Sequence, residues 1–227
     1  MNEDRITVAI LRERGKYAQR EIAGKVENMA EDLAKKGIKV FIRFRIKSDG
    51  SCKEKIFRCG YESPEELSDI LGYRFICLYA EDIPIVCDYL DRVFAIEKTK
   101  DYINSPKPLN MGGYCGAIHK KTHIHCMYED KQVSVPTEFQ VTSLLMNAIW
   151  ELDHPTLYKC EDENPNAYEE NKEILAYVKA IEEIYTRRRK TQESASVKTW
   201  PSGESIPEES EESEETFGDP TAEETPQ

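Results

Sequence analysis

Arg43, Arg45 and Lys47 stand two residues apart. In an extended segment that spacing places all three on one face. Cations this close repel one another unless an anion lies among them. Guanidinium and ammonium groups clamp phosphates by charge and by paired hydrogen bonds. A solvated edge strand is the competing reading of the same pattern. Glu138 and Gln140 repeat the two-residue spacing further on, and Asp69 stands shortly before Gly72 and Arg74. Together these residues offer cations for a triphosphate and two carboxylates for a metal, which is the equipment of phosphoryl or nucleotidyl transfer. Mg²⁺ needs only one or two protein carboxylates, because phosphate oxygens and water complete its shell. His119, His123 and His125 share a strand face with Lys121. A zinc site there lacks a closing carboxylate or thiolate, since Cys126 points to the opposite face. His123 and His125 therefore read as ordinary strand histidines.

Composition narrows the classes. The chain has 227 residues with 43 acidic and 31 basic side chains, a formal charge of −12. The imbalance is local. Residues 191–227 hold 11 acidic residues and one basic, while residues 1–190 hold 32 and 30. The expected organisation is a nearly neutral folded domain over 1–190 and an acidic disordered tail over 191–227. No apolar run reaches the roughly 18 residues a membrane span requires, so no membrane partner is expected. The start, Met1-Asn2-Glu3-Asp4, lacks the basic-then-apolar order of a secretory signal. Seven cysteines with no Cys-x-x-Cys pair read as reduced thiols, and the expected location is cytoplasmic.

The elements that must carry these residues follow from periodicity. Ile22, Val26, Met29 and Leu33 predict a helix over 16–36, stopped by Gly37. Residues 38–47 alternate as a strand, with Ile38, Val40, Ile42, Phe44 and Ile46 on a core face and the cations on the other. Residues 48–60 read as a turn, Ser48-Asp49-Gly50, followed by a short basic segment. Ser63 caps a short helix opened by Pro64, with Glu66 completing a capping box, Asp69 near its end and Gly72 breaking it. A strand follows over 73–79, a helix over 82–94, a strand over 95–103, a loop over 106–113, strands over 116–128 and 133–141, and helices over 143–153 and 166–189. This order implies an α/β or α+β fold, a mixed sheet of about five strands flanked by helices.

The ordered motifs resemble the RelA/SpoT-type alarmone synthetase domain, closest in size to the small single-domain synthetases, over roughly residues 16–160. Arg45-Ile-Lys47, Ser51 and Lys55, followed by Arg58, are similar to the family's ATP-phosphate-binding segment. Asp69-Ile-Leu-Gly72-Tyr-Arg74 resembles the block whose Asp holds magnesium and whose Arg lies near the nucleotide. Asp101-Tyr102-Ile103 with Pro106-Lys107 leads to Gly113-Tyr114, where the resemblance implies stacking of Tyr114 on the acceptor guanine and a loop closed by His119. Glu138-Phe-Gln140-Val is similar to the family's Glu-x-Gln-x-Arg-Thr. Met146, Asp153-His154 and Tyr158-Lys159 keep the family spacing.

The resemblance implies a nucleotidyltransferase-like synthetase fold. It also implies Mg²⁺-dependent transfer of the β,γ-diphosphate of ATP to the 3′-hydroxyl of GTP or GDP, making (p)ppGpp. Asp69 and Glu138 would be the catalytic and metal-binding pair. Arg45, Lys47, Ser51, Lys55 and Arg74 would bind ATP, and Lys107, Tyr114, His119 and Gln140 the acceptor. Three departures gather on the acceptor side. Thr142 replaces the family Arg, Cys115-Gly116 follows Tyr114 in place of Arg-Ser, and the loop after Lys107 is longer. They leave two alternatives: a toxin-like relative that pyrophosphorylates the 3′ end of tRNA, with Arg187–Lys190 meeting the RNA backbone, or a catalytically inactive nucleotide-binding protein. A homo-oligomer and a neutralising protein partner are further partners the resemblance leaves open.

Overall fold

The computed structural model describes residues 6–104, 116–156 and 167–196. The chain divides into two units, 1–190 and 191–227. Of the second, the described residues 191–196 form the end of a helix. Helix α1 (Val8–Lys35) is capped by the Thr7 side chain, which accepts from the Ile10 N–H, and it buries one stripe from Val8 through Ile22 to Leu33. It begins two turns before the expected residue 16. Gly15 looks like a break in the sequence but is a packing point. A Cβ there would come within 3.1 Å of Ile70 and 3.4 Å of Ile46, so any larger residue would push those side chains aside.

Strand β1 (Val40–Ile46) leads into helix α2 (Asp49–Cys59). The turn and basic segment expected over 48–60 is thus corrected to a helix. Ser48 serves as N-cap, accepting from the Ser51 N–H, and Gly60 ends the helix in the left-handed region at φ 65°. Cys52 is its one buried residue, so no apolar stripe announced it. The capping box at Ser63 and Glu66 forms as expected, but it starts a single 3-10 turn, Pro64–Glu66. Asp69 lies beyond that turn, in the link to strand β2 (Leu71–Cys77), and Gly72 stands inside the strand rather than breaking a helix. A second 3-10 turn (Ala80–Asp82) enters α3 (Ile83–Val93). Then come β3 (Lys98–Asp101), β4 (Ala117–Tyr128), β5 (Lys131–Ser143), α4 (Leu144–Thr156) and α5 (Ala167–Ser196).

The five strands form one mixed sheet in the order β1-β2-β5-β4-β3. β2 and β5 run parallel at its centre, and the other neighbours are antiparallel. One face packs on α1 and α3. Tyr73, Phe75, Phe94 and Phe139 form its aromatic heart, with Phe94 and Phe139 centroids 4.7 Å apart. The expected core face of β1 is only partly realised, because β1 is an edge strand. Phe44 leans on Tyr73 yet remains 54% exposed. Lys120 lies on the core side of β4 and pairs with Asp91 at 2.8 Å, which meets the requirement that a buried charge be partnered.

Candidate active site

The strand register aligns the polar residues into two rows across the other face. One row reads Arg43, Arg74, Gln140, His119 and Lys100. The adjacent row reads Arg45, Gly72, Glu138, Lys121 and Lys98. Directly registered residues of neighbouring strands share a face, so ten positions from five strands meet on one surface. Gly72 contributes no side chain to the second row; a Cβ there would sit 3.6 Å from Arg45 Cγ, an ordinary van der Waals contact. An open cleft of about 210 Å³ is lined by Arg43, Arg45, Asp69, Arg74, Glu138, Gln140, Trp150 and neighbours.

Asp69 is gripped from two sides. Lys47 Nζ donates to Oδ2 at 2.8 Å, and Lys55 Nζ donates to Oδ1 at 2.9 Å. Lys47 ends the β1 cation series and Lys55 comes from α2, so the unannounced helix delivers one of the two clamps. Burial alone would lower the Lys55 pKa, but the charge and hydrogen bond of Asp69 raise it. Ser51 stands in the first turn of α2, where its N–H donates to Ser48 Oγ and its hydroxyl accepts from the same group.

A hydrogen-bonded chain crosses the centre of the sheet. Arg74 Nε and Nη2 both donate to Gln140 Oε1, at 3.0 and 2.6 Å, and Gln140 Nε2 donates to Glu138 Oε2 at 2.8 Å. The Gln140 amide is oriented by both neighbours, since reversing it would oppose donors to donors. His119 Nδ1 lies 3.2 Å from Glu138 Oε1, and the edge of the Tyr102 ring meets the His119 ring at 4.9 Å. Lys121 Nζ donates to Ser68 Oγ at 2.7 Å and lies 3.9 Å from Glu138 Oε1. Burial would push the Glu138 pKa up. The hydrogen bond and charge of His119, the Gln140 amide and Lys121 outweigh burial and hold it at about 2. The Lys121 pKa is lowered, chiefly by burial, against the pull of Glu138.

The structure therefore gathers Arg45, Lys47, Lys55, Asp69, Arg74, His119, Glu138 and Gln140 around one cleft. Lys107 and Tyr114 lie outside the described residues, as do the side chains of Asp153 and His154 and residues 158–159. Gln140 was assigned to the acceptor by resemblance; it sits between Arg74 and Glu138. Thr142 points to the site face by alternation but is buried, and its hydroxyl donates to the Gly116 carbonyl at 2.6 Å, tying the start of β4 to β5. In the basic run offered to RNA, Arg189 turns inward, donating to Asp82 Oδ1 at 2.9 Å and to Glu81 Oε1 at 3.2 Å. His123 pairs with Glu97 at 2.7 Å.

Residues that motif spacing did not single out come mainly from α4. Asn147 Oδ1 accepts from Arg74 Nη1 at 3.0 Å, the Arg74 guanidinium lies 3.8 Å over the Trp150 ring, and Glu151 Oε1 accepts from Arg43 at 3.1 Å. Asn147, Trp150 and Glu151 stand three and four residues apart on one side of a helix, which is the signal that was available. The register was the missing signal for Lys121.

Sequence comparison agrees with this geometry. The profile of the region found in RelA/SpoT proteins matches residues 44–163, from β1 into the segment after α4. The chain belongs to the RelA/SpoT family. Over 128 residues it is 31% identical to GTP pyrophosphokinase YwaC of Bacillus subtilis strain 168, matching 53% of this chain and 59% of that protein. The chain thus spans less than two thirds of that relative. The small alarmone synthetase 2 of Bacillus subtilis superposes with a TM-score of 0.67 at 25% identity, covering 79% of this chain and 96% of that one. The small alarmone synthetase 1 of the same organism, bound to its product pppGpp, superposes at 0.68 with 22% identity, over 78% and 94%, and supports the fold. The mixed five-stranded sheet flanked by helices is the RelA/SpoT-type architecture read from the motifs. Among the described residues, no helix is long and apolar enough to cross a membrane.

Proposed function

We propose that this RelA/SpoT-family chain moves the β,γ-diphosphate of ATP to the 3′-hydroxyl of GTP or GDP, releasing AMP and making (p)ppGpp. The two registered rows, with cations surrounding Asp69 and Glu138 in one cleft, carry the reading. The family membership and the pyrophosphokinase relative support it.

In this reading the acceptor 3′-oxygen attacks the β-phosphorus. The bond from that phosphorus to the α,β-bridging oxygen breaks, and AMP leaves with the electron pair. Arg45, Lys47, Lys55 and Arg74 hold the triphosphate in line and offset the negative oxygens that crowd the attacked phosphorus. Lys47 and Lys55 are already poised at the cleft by their grip on Asp69. Glu138 stays ionised at neutral pH because His119, Gln140 and Lys121 hold its pKa near 2. A carboxylate this acidic is a weak proton acceptor. Its work is to accept a hydrogen bond from the 3′-hydroxyl and orient it, and the hydroxyl proton passes to solvent water as the new O–P bond forms.

The donor set suits Mg²⁺. Asp69 and Glu138 are hard oxygen ligands lining one cleft, and among the described residues no group of three candidate ligands forms a protein cage. Two carboxylates with the remainder supplied by phosphate oxygens and water is the arrangement this ion takes. When bound, held by Asp69 and Glu138, it would supply positive charge that offsets the phosphate oxygens.

Product analysis with ATP labelled on its γ-phosphate, Mg²⁺ and GTP, GDP or bulk tRNA tests the reading. Label appearing in a guanosine polyphosphate is the expected result. Label found only on tRNA, or on neither acceptor, would overturn it.

A further inference from the structure

The Arg74 guanidinium is held from three directions. Gln140 of the sheet accepts from two of its nitrogens, Asn147 of α4 accepts from a third, and its Cζ lies over the Trp150 ring, 3.8 Å from the centroid. Asn147 and Trp150 are three residues apart, on one side of α4. Trp150 is partly buried and lines the same cleft as Arg45, Asp69 and Glu138. An indole facing a cation-lined cleft from a helix flank, with its π-face against a guanidinium, fixes a direction that hydrogen bonds at the edge leave able to tilt.

We propose that Trp150 is a positioning residue for the donor side of the site. With its ring face against Arg74, it fixes the orientation in which that guanidinium meets a purine nucleoside triphosphate. The proposal rests on the reading of ATP as donor. A free arginine side chain loses about 2 kcal/mol of rotamer entropy when a ligand immobilises it. Stacking on Trp150 spends that entropy during folding, so the ligand does not lose it on binding. The gain is present in the bound ground state and the transition state alike, and it therefore appears in ATP affinity rather than in kcat.

Calorimetric titration of Mg²⁺-ATP into the wild-type chain, Trp150→Ala and Trp150→Phe, with steady-state transfer rates beside it, tests the proposal. Trp150→Ala is expected to weaken ATP binding by about 5- to 30-fold. Its kcat and acceptor KM should stay within about twofold of wild type. Trp150→Phe should recover most of the affinity, because a smaller ring still offers a π-face. ATP affinity within about twofold of wild type in Trp150→Ala overturns the proposal. So does equal impairment of both variants together with lowered thermal midpoints, which marks Trp150 as packing. A wild-type chain that binds ATP but transfers to no acceptor defeats the transferase reading, while the comparison of binding constants still decides Trp150. A wild-type chain that does not bind ATP overturns both.

Discussion

The two faces of the sheet are built from adjacent residues and obey opposite rules. Along β2, Arg74 stands between Tyr73 and Phe75; along β5, Phe139 stands between Glu138 and Gln140. On the core face Phe75 and Phe139 are fully buried and packed against other rings, edge-on or tilted. On the site face, side chains meet as ions and hydrogen-bonding groups around a cleft. Dispersion and water exclusion hold the first surface. The second gathers like charges, Lys47 with Lys55 and Arg43 with Arg45 and Arg74, in a geometry whose benefit comes when a polyanion arrives. Single-residue alternation therefore sets apolar packing beside the candidate site with no sequence distance between them.

Substitutions on the core side and on the cleft side should show this separation. Phe139→Ala removes the ring that three other aromatics contact, and we expect a loss of about 3–5 kcal/mol in urea unfolding. Asp69→Asn should lower kcat by roughly 100- to 1000-fold, with a thermal midpoint close to wild type. A large midpoint drop in that variant would erase the proposed division. Glu138 gives a test by pH. Its native pKa of about 2 lies below the ordinary value of 4.5, so it stabilises the fold above about pH 4.5, and that contribution is lost as pH falls toward 2. The magnitude is on the order of 3 kcal/mol. Glu138→Gln should flatten the acid limb of the stability profile over that window, and an unchanged limb would show that the His119–Glu138 pair contributes nothing to folding.

Thr142 sharpens the comparison as an exception. It alternates onto the site face, yet it is buried and donates to the Gly116 carbonyl. Thr142→Val should cost about 1–2 kcal/mol and change the ATP KM little; a rise in ATP KM without loss of stability would move Thr142 into the donor site. The smallest effect is expected at the exposed Arg43–Glu151 pair. Glu151→Gln should alter stability by less than about 1 kcal/mol, as read from denaturant midpoints.

Much of the site was legible because strand alternation is a strict period. Arg43, Arg45 and Lys47 read as one face, as did Glu138 and Gln140; Arg43 and Arg45 share the site face of β1 with Glu138 and Gln140, and Lys47, just past β1, reaches Asp69. The capping box at Ser63 also read correctly, because its chemistry is local. Helix α2 did not. Its Ser48-Asp49-Gly50 start is equally good turn chemistry, and one buried residue leaves no periodic signal. Trp150 did not stand out because a tryptophan among apolar helix residues looks like core.

What the sequence determined alone was local: which residues alternate, where caps and stops fall, and which ordered motifs resemble a family. The tertiary structure decided the strand order, the parallel pairing of β2 with β5 and the register that aligns Arg74 with Gln140 and His119. It also brought Lys47 and Lys55 onto Asp69 and α4 against Arg74. The physical reason is range. Periodicity and capping act through neighbours along the chain, whereas register and helix docking are settled by burying the core face, and the site on the opposite face inherits its geometry from that packing.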